Sequence, residues 1–374
     1  MPKKTKILIR AANWVGDAIM TTPVIRSIRK SYPDAHITLL AKPWVIPVFD
    51  NSPYIDEIMV YENDTRHTKG VGTLRLVKDM RKHSFDVAIL MQNAFEAGLI
   101  TFLAGIPVRI GYNTDGRGLI LNPSIKMDKR LKKGHLIDYY RGILKGSNHR
   151  FCGDLRHFID DGRKLDLFIS DFERTEALKK LTSYGIDSQK QPVIGINPGA
   201  TGGTAKRWFP ERYAELAKRL SEQFNTKILI FGGQADKELG DKISEIASQS
   251  DGKTIDQASP ICVNLAGKTT LRQAFALIEK CDLFITNDSG LMHAAAALGT
   301  KQIAIIGSTD HIATAPSSLN SIMIRVSVPC SPCLKVHCPK DKNDTQYHVC
   351  MNKITVDMVI SEIKKMELQF ESRA

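Results

Sequence analysis

The sequence lacks several features that would assign it quickly to a functional class. No apolar run approaches the roughly 18 residues of a membrane-spanning helix, and there is no repeat or low-complexity tract. Neither a Walker A motif nor a G-x-G-x-x-G fingerprint occurs, which argues against P-loop NTPases and dinucleotide-binding dehydrogenases. The basic start, MPKKTKILIRAA, has too short an apolar part for a signal peptide, and Asn13, Trp14 and Asp17 interrupt it. We therefore expect a cytoplasmic protein.

The composition is that of a globular protein with an anionic partner. With 374 residues, 43% of them hydrophobic and 25% charged, the chain is long enough for two domains with real cores. Its net charge of +12 indicates binding to nucleic acid, a membrane surface, or a phosphorylated or acidic substrate. Charge alone does not choose among these partners, and no basic helix typical of nucleic-acid binding is present.

Strand and helix patterns alternate through the chain, which predicts an α/β fold with mostly parallel sheets. In the first half, the predicted strands are 6–11, 36–41 and 86–91, and the predicted helices are 18–30 and 74–83. Residues 109–140 look loop-rich and basic. After a polar linker near 160–164, the second half gives strands 193–197, 227–231, 283–286 and 302–306, and helices beginning at Pro210, Leu271 and Thr355.

Because this alternation of strands and helices occurs in both halves, the sequence predicts two facing doubly wound domains with a cleft between them. The first domain is expected to cover residues 1–165 and the second residues 166–350. A terminal helical segment, 351–374, is expected to pack back toward the first domain.

Small polar loops follow the strands of the second half. In open α/β sheets, ligands bind at the loops beyond the carboxyl ends of the strands. The sequences are NPGATGGTAKRW, FGGQADKE, TNDSGLMH and GSTD. Glycine lets the backbone approach a phosphate, and a helix N-terminus offers free N–H groups. Together these loops predict a diphosphate or nucleotide site. Lys206 in the first loop is either a phosphate-binding cation or a solvated surface lysine.

Two further loops carry candidate residues that also have simpler explanations. Asp288 and Ser289 either cap the helix that follows or help to bind a phosphate or sugar, and His293 is either a packed histidine or a ligand-binding one. Asp17 follows the first strand in NWVGDAIMTTP. It is either the N-cap of the next helix or a base that removes a proton from an attacking sugar hydroxyl.

The combined motifs resemble those of the ADP-heptose:lipopolysaccharide heptosyltransferases, most of all the type that adds the second heptose. They are, in this order, NWVGDAIMTTP, AGIPVRIGY, NPGATGGTAKRW, FGGQADKE, LAGKTTLRQA and TNDSGLMHAAAALG, and the resemblance covers residues 6–307. The resemblance implies a GT-B fold, with two Rossmann-like domains that bind the acceptor and the ADP-sugar donor. It also implies inverting transfer of heptose onto the heptose of the inner core, without a catalytic metal.

The resemblance also implies roles for individual residues. Asp17 would be the catalytic base, and Lys206 would contact the donor diphosphate. The implied donor-binding residues are Thr201, Gly202, Asp236 or Glu238 at the ribose, Thr269 near the adenine, and Asp288, Ser289, Gly290 and His293. Candidates for the acceptor, a Kdo- and heptose-bearing lipid A at the inner face of the membrane, are Asn13, Trp14, Arg109, Arg117, Lys132 and Arg141. Each of these basic residues is equally well explained as part of a solvated loop.

Four cysteines near the C-terminus form a cluster with the density of a ligand set. They are Cys330, Cys333, Cys338 and Cys350, separated by two, four and eleven residues. A structural zinc or iron–sulfur centre, disulfides and free thiols all stay open, because the spacing fits no standard pattern. A catalytic role is not expected.

Two kinds of alternative to the second-heptose enzyme are also consistent with these patterns. One is an enzyme of the same fold: the first-heptose transferase, another nucleotide-sugar transferase, or a nucleotide-sugar epimerase. The other is a non-catalytic basic protein that binds anionic lipid or nucleic acid. The set of Asp17, Lys206, Asp288 and His293 argues against the second kind.

Overall fold

A computed structural model describes residues 4–147, 158–249 and 260–366. The chain divides into two compact units, Met1–Phe168 and Ile169–Ala374, close to the domain boundary that the sequence predicted at residue 165. Within the described residues, no helix combines the length and the apolar character that a membrane crossing requires.

The first unit is built on a six-stranded parallel sheet with the strand order β3-β2-β1-β4-β5-β6. Its strands are β1 (Lys6–Arg10), β2 (His36–Ala41), β3 (Glu57–Val60), β4 (Val87–Leu90), β5 (Val108–Tyr112) and β6 (Ser124–Ile125). Its helices are α1 (Val15–Met20), α2 (Thr22–Ser31), α3 (Val71–His83), α4 (Phe95–Leu103), α5 (Lys129–Lys133) and α6 (Leu136–Ser147). The central strands are continuous apolar runs because helices cover both faces of such a sheet.

The second unit repeats this architecture with the strand order β12-β11-β10-β7-β8-β9. Its strands are β7 (Val193–Asn197), β8 (Lys227–Ile230), β9 (Cys262–Asn264), β10 (Leu283–Asn287), β11 (Gln302–Ile305) and β12 (Ser321–Ile324). Its helices are α7 (Asp171–Ser183), α8 (Pro210–Phe224), α9 (Lys237–Ser248), α10 (Leu271–Glu279), α11 (Gly290–Leu298), α12 (Val349–Asn352) and α13 (Val356–Lys365).

Both sheets have the Rossmann order, in which the first and fourth strands are neighbours at the centre. β1 pairs with β4 in the first unit, and β7 pairs with β10 in the second. The direction of winding reverses between these strands, and ligands bind beyond their carboxyl ends. The loops that follow β1, β7 and β10 are those in which the sequence placed Asp17, Lys206 and Asp288.

The helix predicted from Ala18 to Lys30 is wrong, because the structure has two helices in this region. α1 ends at Met20, and α2 begins at Thr22 with Pro23 in its first turn. Proline lacks an N–H group and clashes with the preceding turn, so it is tolerated at a helix start and not in a helix interior. The shorter first helix also begins earlier than predicted, at Val15.

Two other predictions concern residues 109–140 and the terminal segment. Residues 109–140, expected to be rich in loops, also contain β5, β6, α5 and the start of α6. The terminal helix α13 packs on α8 of the second unit and contributes Val359 and Ile363 to that unit's core, and packing of the segment toward the first domain stays a prediction. Residues 367–374, the rest of the predicted terminal segment, lie outside the described residues.

The side-chain amide of Asn287 holds both ends of the glycine-rich loop that follows β7. Its Nδ2 donates to the carbonyl oxygen of Pro198 at 2.8 Å. Its Oδ1 accepts from the main-chain N–H of Trp208 at 3.1 Å and from the hydroxyl of Tyr213 at 3.2 Å. Asn287 is fully buried. Water cannot replace these bonds, so one side chain of β10 fixes the loop that carries Lys206.

We expect Asn287→Leu to lower the free energy of unfolding by about 2–4 kcal/mol, because it leaves buried main-chain groups at both ends of the loop unpaired. Tyr213→Phe is the matched control, since it removes one of the three bonds and leaves the main-chain pairing intact; about 1 kcal/mol is expected. Urea unfolding of the full-length chain measures both effects. Equal stability of Asn287→Leu and the wild type would show that Asn287 does not fasten the loop.

Candidate active site

Asp17 lies in the first turn of α1, directly beyond the carboxyl end of β1. It is the third residue of the helix and not its cap, because the N-cap position is occupied by Trp14, whose side chain makes no capping bond. The interpretation of Asp17 as an ordinary N-cap is therefore wrong. Its carboxylate instead lies near the hydroxyl of Tyr140 in α6, and its charge acts on that hydroxyl.

Tyr140 is a site residue that the sequence did not reveal, because it lies in the stretch expected to be loop. Burial, followed by the nearby charge of Asp17, raises the pKa of its hydroxyl well above the ordinary value. The Tyr140 hydroxyl therefore stays protonated and can donate to the nearby carboxylate. A donor of this kind stabilises the charged form of an aspartate and fixes its direction.

The residues just before Asp17 are held by the neighbouring loop and strand. Asn13 accepts a hydrogen bond on its Oδ1 from Arg10 at 2.9 Å and on its carbonyl oxygen from the Trp44 indole at 2.8 Å. Arg10 is buried, and this burial lowers its pKa to about 10. Trp14 is 63% exposed. A fixed main chain therefore presents one large aromatic surface three residues from Asp17.

The basic residues predicted to contact the acceptor differ in what they can do. Arg117 is fully buried and donates to the carbonyl oxygens of Tyr112 and Gln92, so it has no exposed surface for an acceptor. Arg117 is therefore a structural residue and not the acceptor-binding residue that was expected. Burial lowers the pKa of its guanidinium to about 10.

Arg109 and Arg141 are also engaged within the first unit. Arg109 donates to the carbonyl oxygen of Ile120 at 2.7 Å, and its guanidinium lies over the ring of Phe102. Arg141 forms ion pairs with Asp138 and Asp160. Lys132, on the exposed helix α5, differs from these three arginines because its side chain faces solvent.

The glycine-rich loop after β7 carries the predicted diphosphate-binding residues. Thr201 and Gly202 are exposed, and Gly202 has a φ of +89°, a conformation that side chains rarely adopt. Lys206 ends a short 3-10 turn and is half-buried. The loop therefore offers two exposed residues and one lysine in the segment that follows β7.

The loops after β8 and β9 carry the residues predicted to contact the ribose and the adenine of the donor. The Asp236 carboxylate accepts from the main-chain N–H of Gly233 and is so close to Gly199 that a Cβ there would lie 2.5 Å from it. Glu238 lies in the first turn of α9 and is exposed. Thr269, beyond β9, is half-buried. Of the two acids considered for the ribose, Asp236 is the one that contacts the glycine-rich loop.

The loop after β10 leads into α11 through Asp288 and Ser289. Ser289 is the N-cap and accepts from the N–H of Met292, which confirms the capping role for this residue. Asn197 at the end of β7 also donates to the Ser289 hydroxyl, at 2.8 Å. Asp288 is buried and accepts from the hydroxyl of Thr314 at 2.9 Å.

The first turn of α11 therefore combines two features of a donor site. Gly290 opens the helix, where free N–H groups favour an anion. His293 is buried one turn later.

The cysteine-rich segment contacts the glycine-rich loop. The N–H of Ala205 donates to the carbonyl oxygen of Val336 at 3.1 Å, and Thr204 Oγ1 lies 3.0 Å from His337 Nδ1. The segment thus supports the loop that precedes Lys206.

The four cysteines themselves are free thiols in this structure. Cys350 is buried, which raises its pKa to about 11, and Cys338 accepts from the N–H of His348 at 3.3 Å. Among the residues that the structure describes, no group of three or more His, Cys, Asp or Glu side chains is arranged to hold a metal ion.

The chain is similar over nearly its whole length to proteins of known activity. It is 31% identical to lipopolysaccharide heptosyltransferase 2 of Escherichia coli K12, covering 98% of this chain and all of that protein. It is also 31% identical to lipooligosaccharide heptosyltransferase 2 of Haemophilus influenzae, covering 96% and 99%. The crystal structure of E. coli ADP-heptose lps heptosyltransferase II superimposes with a TM-score of 0.78 at 29% identity, over 98% of this chain and all of that one.

These similarities confirm the expected GT-B fold and the enzyme class. The model of glycosyltransferase family 9 (heptosyltransferase) matches residues 73–343, which include the loops after β7, β8, β9, β10 and β11. The chain therefore belongs to glycosyltransferase family 9, the heptosyltransferase family, and is a glycosyltransferase.

Proposed function

We propose that the protein transfers L-glycero-D-manno-heptose from ADP-heptose to the heptose of the lipopolysaccharide inner core. Family membership and the two heptosyltransferase 2 relatives support this reaction. The observation that carries the chemistry is the position of the Asp17 carboxylate, beyond the central strand of the first sheet and near the Tyr140 hydroxyl. A fixed carboxylate at such a position has the properties of a general base.

The second unit would bind the donor. Lys206 and the first turn of α11 would neutralise the diphosphate as ADP leaves, since preorganised cations and N–H groups stabilise developing negative charge. The remaining contacts are assigned to the residues whose loops surround these two elements: Thr201, Gly202, Asp236 or Glu238, Thr269, Asp288, Ser289, Gly290 and His293. The contact of Asp236 with the glycine-rich loop favours it over Glu238 for the ribose.

The first unit would bind the acceptor and activate its hydroxyl. Asp17 removes the proton as the oxygen attacks the anomeric carbon, and the bond to ADP breaks in the same displacement. A single displacement inverts the configuration at that carbon. The proposed role of Tyr140 is to donate a hydrogen bond to this carboxylate and orient it toward the attacking hydroxyl.

The acceptor is anchored in a membrane, and exposed side chains near Asp17 support a transient contact with that surface. Trp14 and Trp44 are both exposed although they are large and apolar. Aromatic side chains with a polar edge favour membrane interfaces and also stack on sugars. The exposed basic helix α5, with Lys132, and the net charge of +12 complement an anionic acceptor.

Asp17→Asn is expected to lower kcat for heptose transfer by about 10²–10⁴-fold, because the amide cannot accept the proton. ADP binding, measured by calorimetry, should be unchanged. Tyr140→Phe should cause a smaller loss of kcat, because the carboxylate loses a neighbouring hydroxyl that can orient it. Full transfer activity in Asp17→Asn would eliminate this mechanism.

The acceptor assignment is tested with two Kdo-lipid acceptors, one carrying a heptose and one lacking it. The heptose-bearing acceptor should be used at least about tenfold faster, because a site built around a sugar's hydroxyls discriminates against their absence. Efficient use of only the heptose-free acceptor would identify the first-heptose enzyme. A preference for UDP-sugars over ADP-heptose would indicate a different donor.

Transfer is expected to need no metal ion, since Lys206 and a helix N-terminus would perform the charge neutralisation. Activity should therefore persist after dialysis against EDTA; a loss that Mg²⁺ restores would contradict this proposal. A structural zinc or iron–sulfur centre at Cys330, Cys333, Cys338 and Cys350 stays a separate prediction, and elemental analysis of the purified protein measures it.

A further inference from the structure

The loop after β11 has no role in the function described so far, although the sequence GSTD places it among the donor-side loops. It spans Gly307–Asp310 and follows a strand that pairs with β10, with Ile305 opposite Asn287. Since Asp288 comes directly after Asn287, this loop leaves the sheet beside the segment that leads into α11.

Two hydroxyl groups in this loop are buried without a hydrogen-bond partner among the described residues. They are Ser308 Oγ and Thr309 Oγ1, on side chains that are 2% and 9% exposed. Burying a hydroxyl without a partner is unfavourable, so native proteins rarely contain such groups. Two adjacent unpaired hydroxyls at the ligand-binding end of a sheet indicate that a polar ligand supplies their missing hydrogen-bond partners.

The rest of this region is well fixed, so the unpaired hydroxyls do not reflect a loosely held chain. The carbonyl oxygen of Ser308 accepts from the N–H of Leu334 at 2.8 Å, and that of Gly307 accepts from the Ser331 hydroxyl at 2.6 Å. Thr314, just beyond the loop, donates to Asp288. The main chain is therefore set on both sides, and the segment after the loop is tied to the donor site.

We propose that Ser308 and Thr309, together with Asp288, form the subsite for hydroxyl groups of the donor sugar. This inference rests on the proposed function and extends it. A carboxylate repels a phosphate but accepts hydrogen bonds from neutral hydroxyls, and serine and threonine can donate and accept. The chemistry of the three residues therefore fits the polyol part of ADP-heptose and not its diphosphate.

The test uses Ser308→Ala, Thr309→Val and the double variant, with binding of ADP and of ADP-heptose measured by calorimetry. Each substitution removes a hydroxyl with little change in volume. The double variant should bind ADP-heptose about tenfold more weakly, as expected for two lost hydrogen bonds. Its affinity for ADP, which lacks the sugar, should be unchanged. Its melting temperature should be equal to or higher than that of the wild type, because no bond within the protein is lost.

Thr300→Val is the matched control, because Thr300 is also buried but its hydroxyl donates to the carbonyl oxygen of Ile278 at 3.1 Å. This variant should lose thermal stability and keep its affinity for ADP-heptose. Equal weakening of ADP and ADP-heptose in the double variant would assign the hydroxyls to the nucleotide and overturn the sugar subsite. Unchanged affinity for both would overturn it as well. A wild type that fails to bind ADP-heptose would overturn the proposed donor and the subsite with it.

Discussion

The loops that we assign to donor binding depend on the hydrogen bonds of a single buried amide. Asn287 joins the end of β10 to both ends of the glycine-rich loop, through Pro198 and Trp208. A loop of this composition has much conformational freedom to lose. Fixing its two ends on the sheet limits that freedom while leaving Thr201 and Gly202 between them exposed. The same strand leads into α11, so one element sets the position of both candidate phosphate-binding features.

Much of this arrangement could be predicted from the sequence because buried parallel strands leave a clear apolar pattern. The rule that ligands bind beyond the carboxyl ends of parallel strands then predicted a site at the loops that carry Asp17, Lys206 and Asp288. Tyr140 could not be found in this way, because its contact with Asp17 joins residues far apart in the chain. Asn287 was also missed, since a polar residue at a strand end gives no sign of the partners that it will have.

Charge was the least informative of the sequence patterns at the level of single residues. A net charge of +12 indicates an anionic partner for the whole protein but not which side chains meet it. Arg117 and Lys132 lie in the same basic stretch, yet the first is buried against carbonyl oxygens and the second is exposed. The difference arises from tertiary packing, in which a guanidinium with five donors can replace water around several acceptors.

In the loops assigned to donor binding, polar side chains that support the fold can be distinguished from those available to a ligand by their hydrogen-bond partners. Asn197, Asn287 and Thr314 have their hydrogen bonds completed by neighbouring loops and strands of the second unit. In the described residues, Ser308 and Thr309 have no such partners for their hydroxyls. Stability alone would favour apolar side chains at these two buried positions, because an unpaired hydroxyl opposes folding. The proposed sugar subsite would account for polar groups at these positions, and the surrounding network of completed bonds makes their unfavourable burial tolerable.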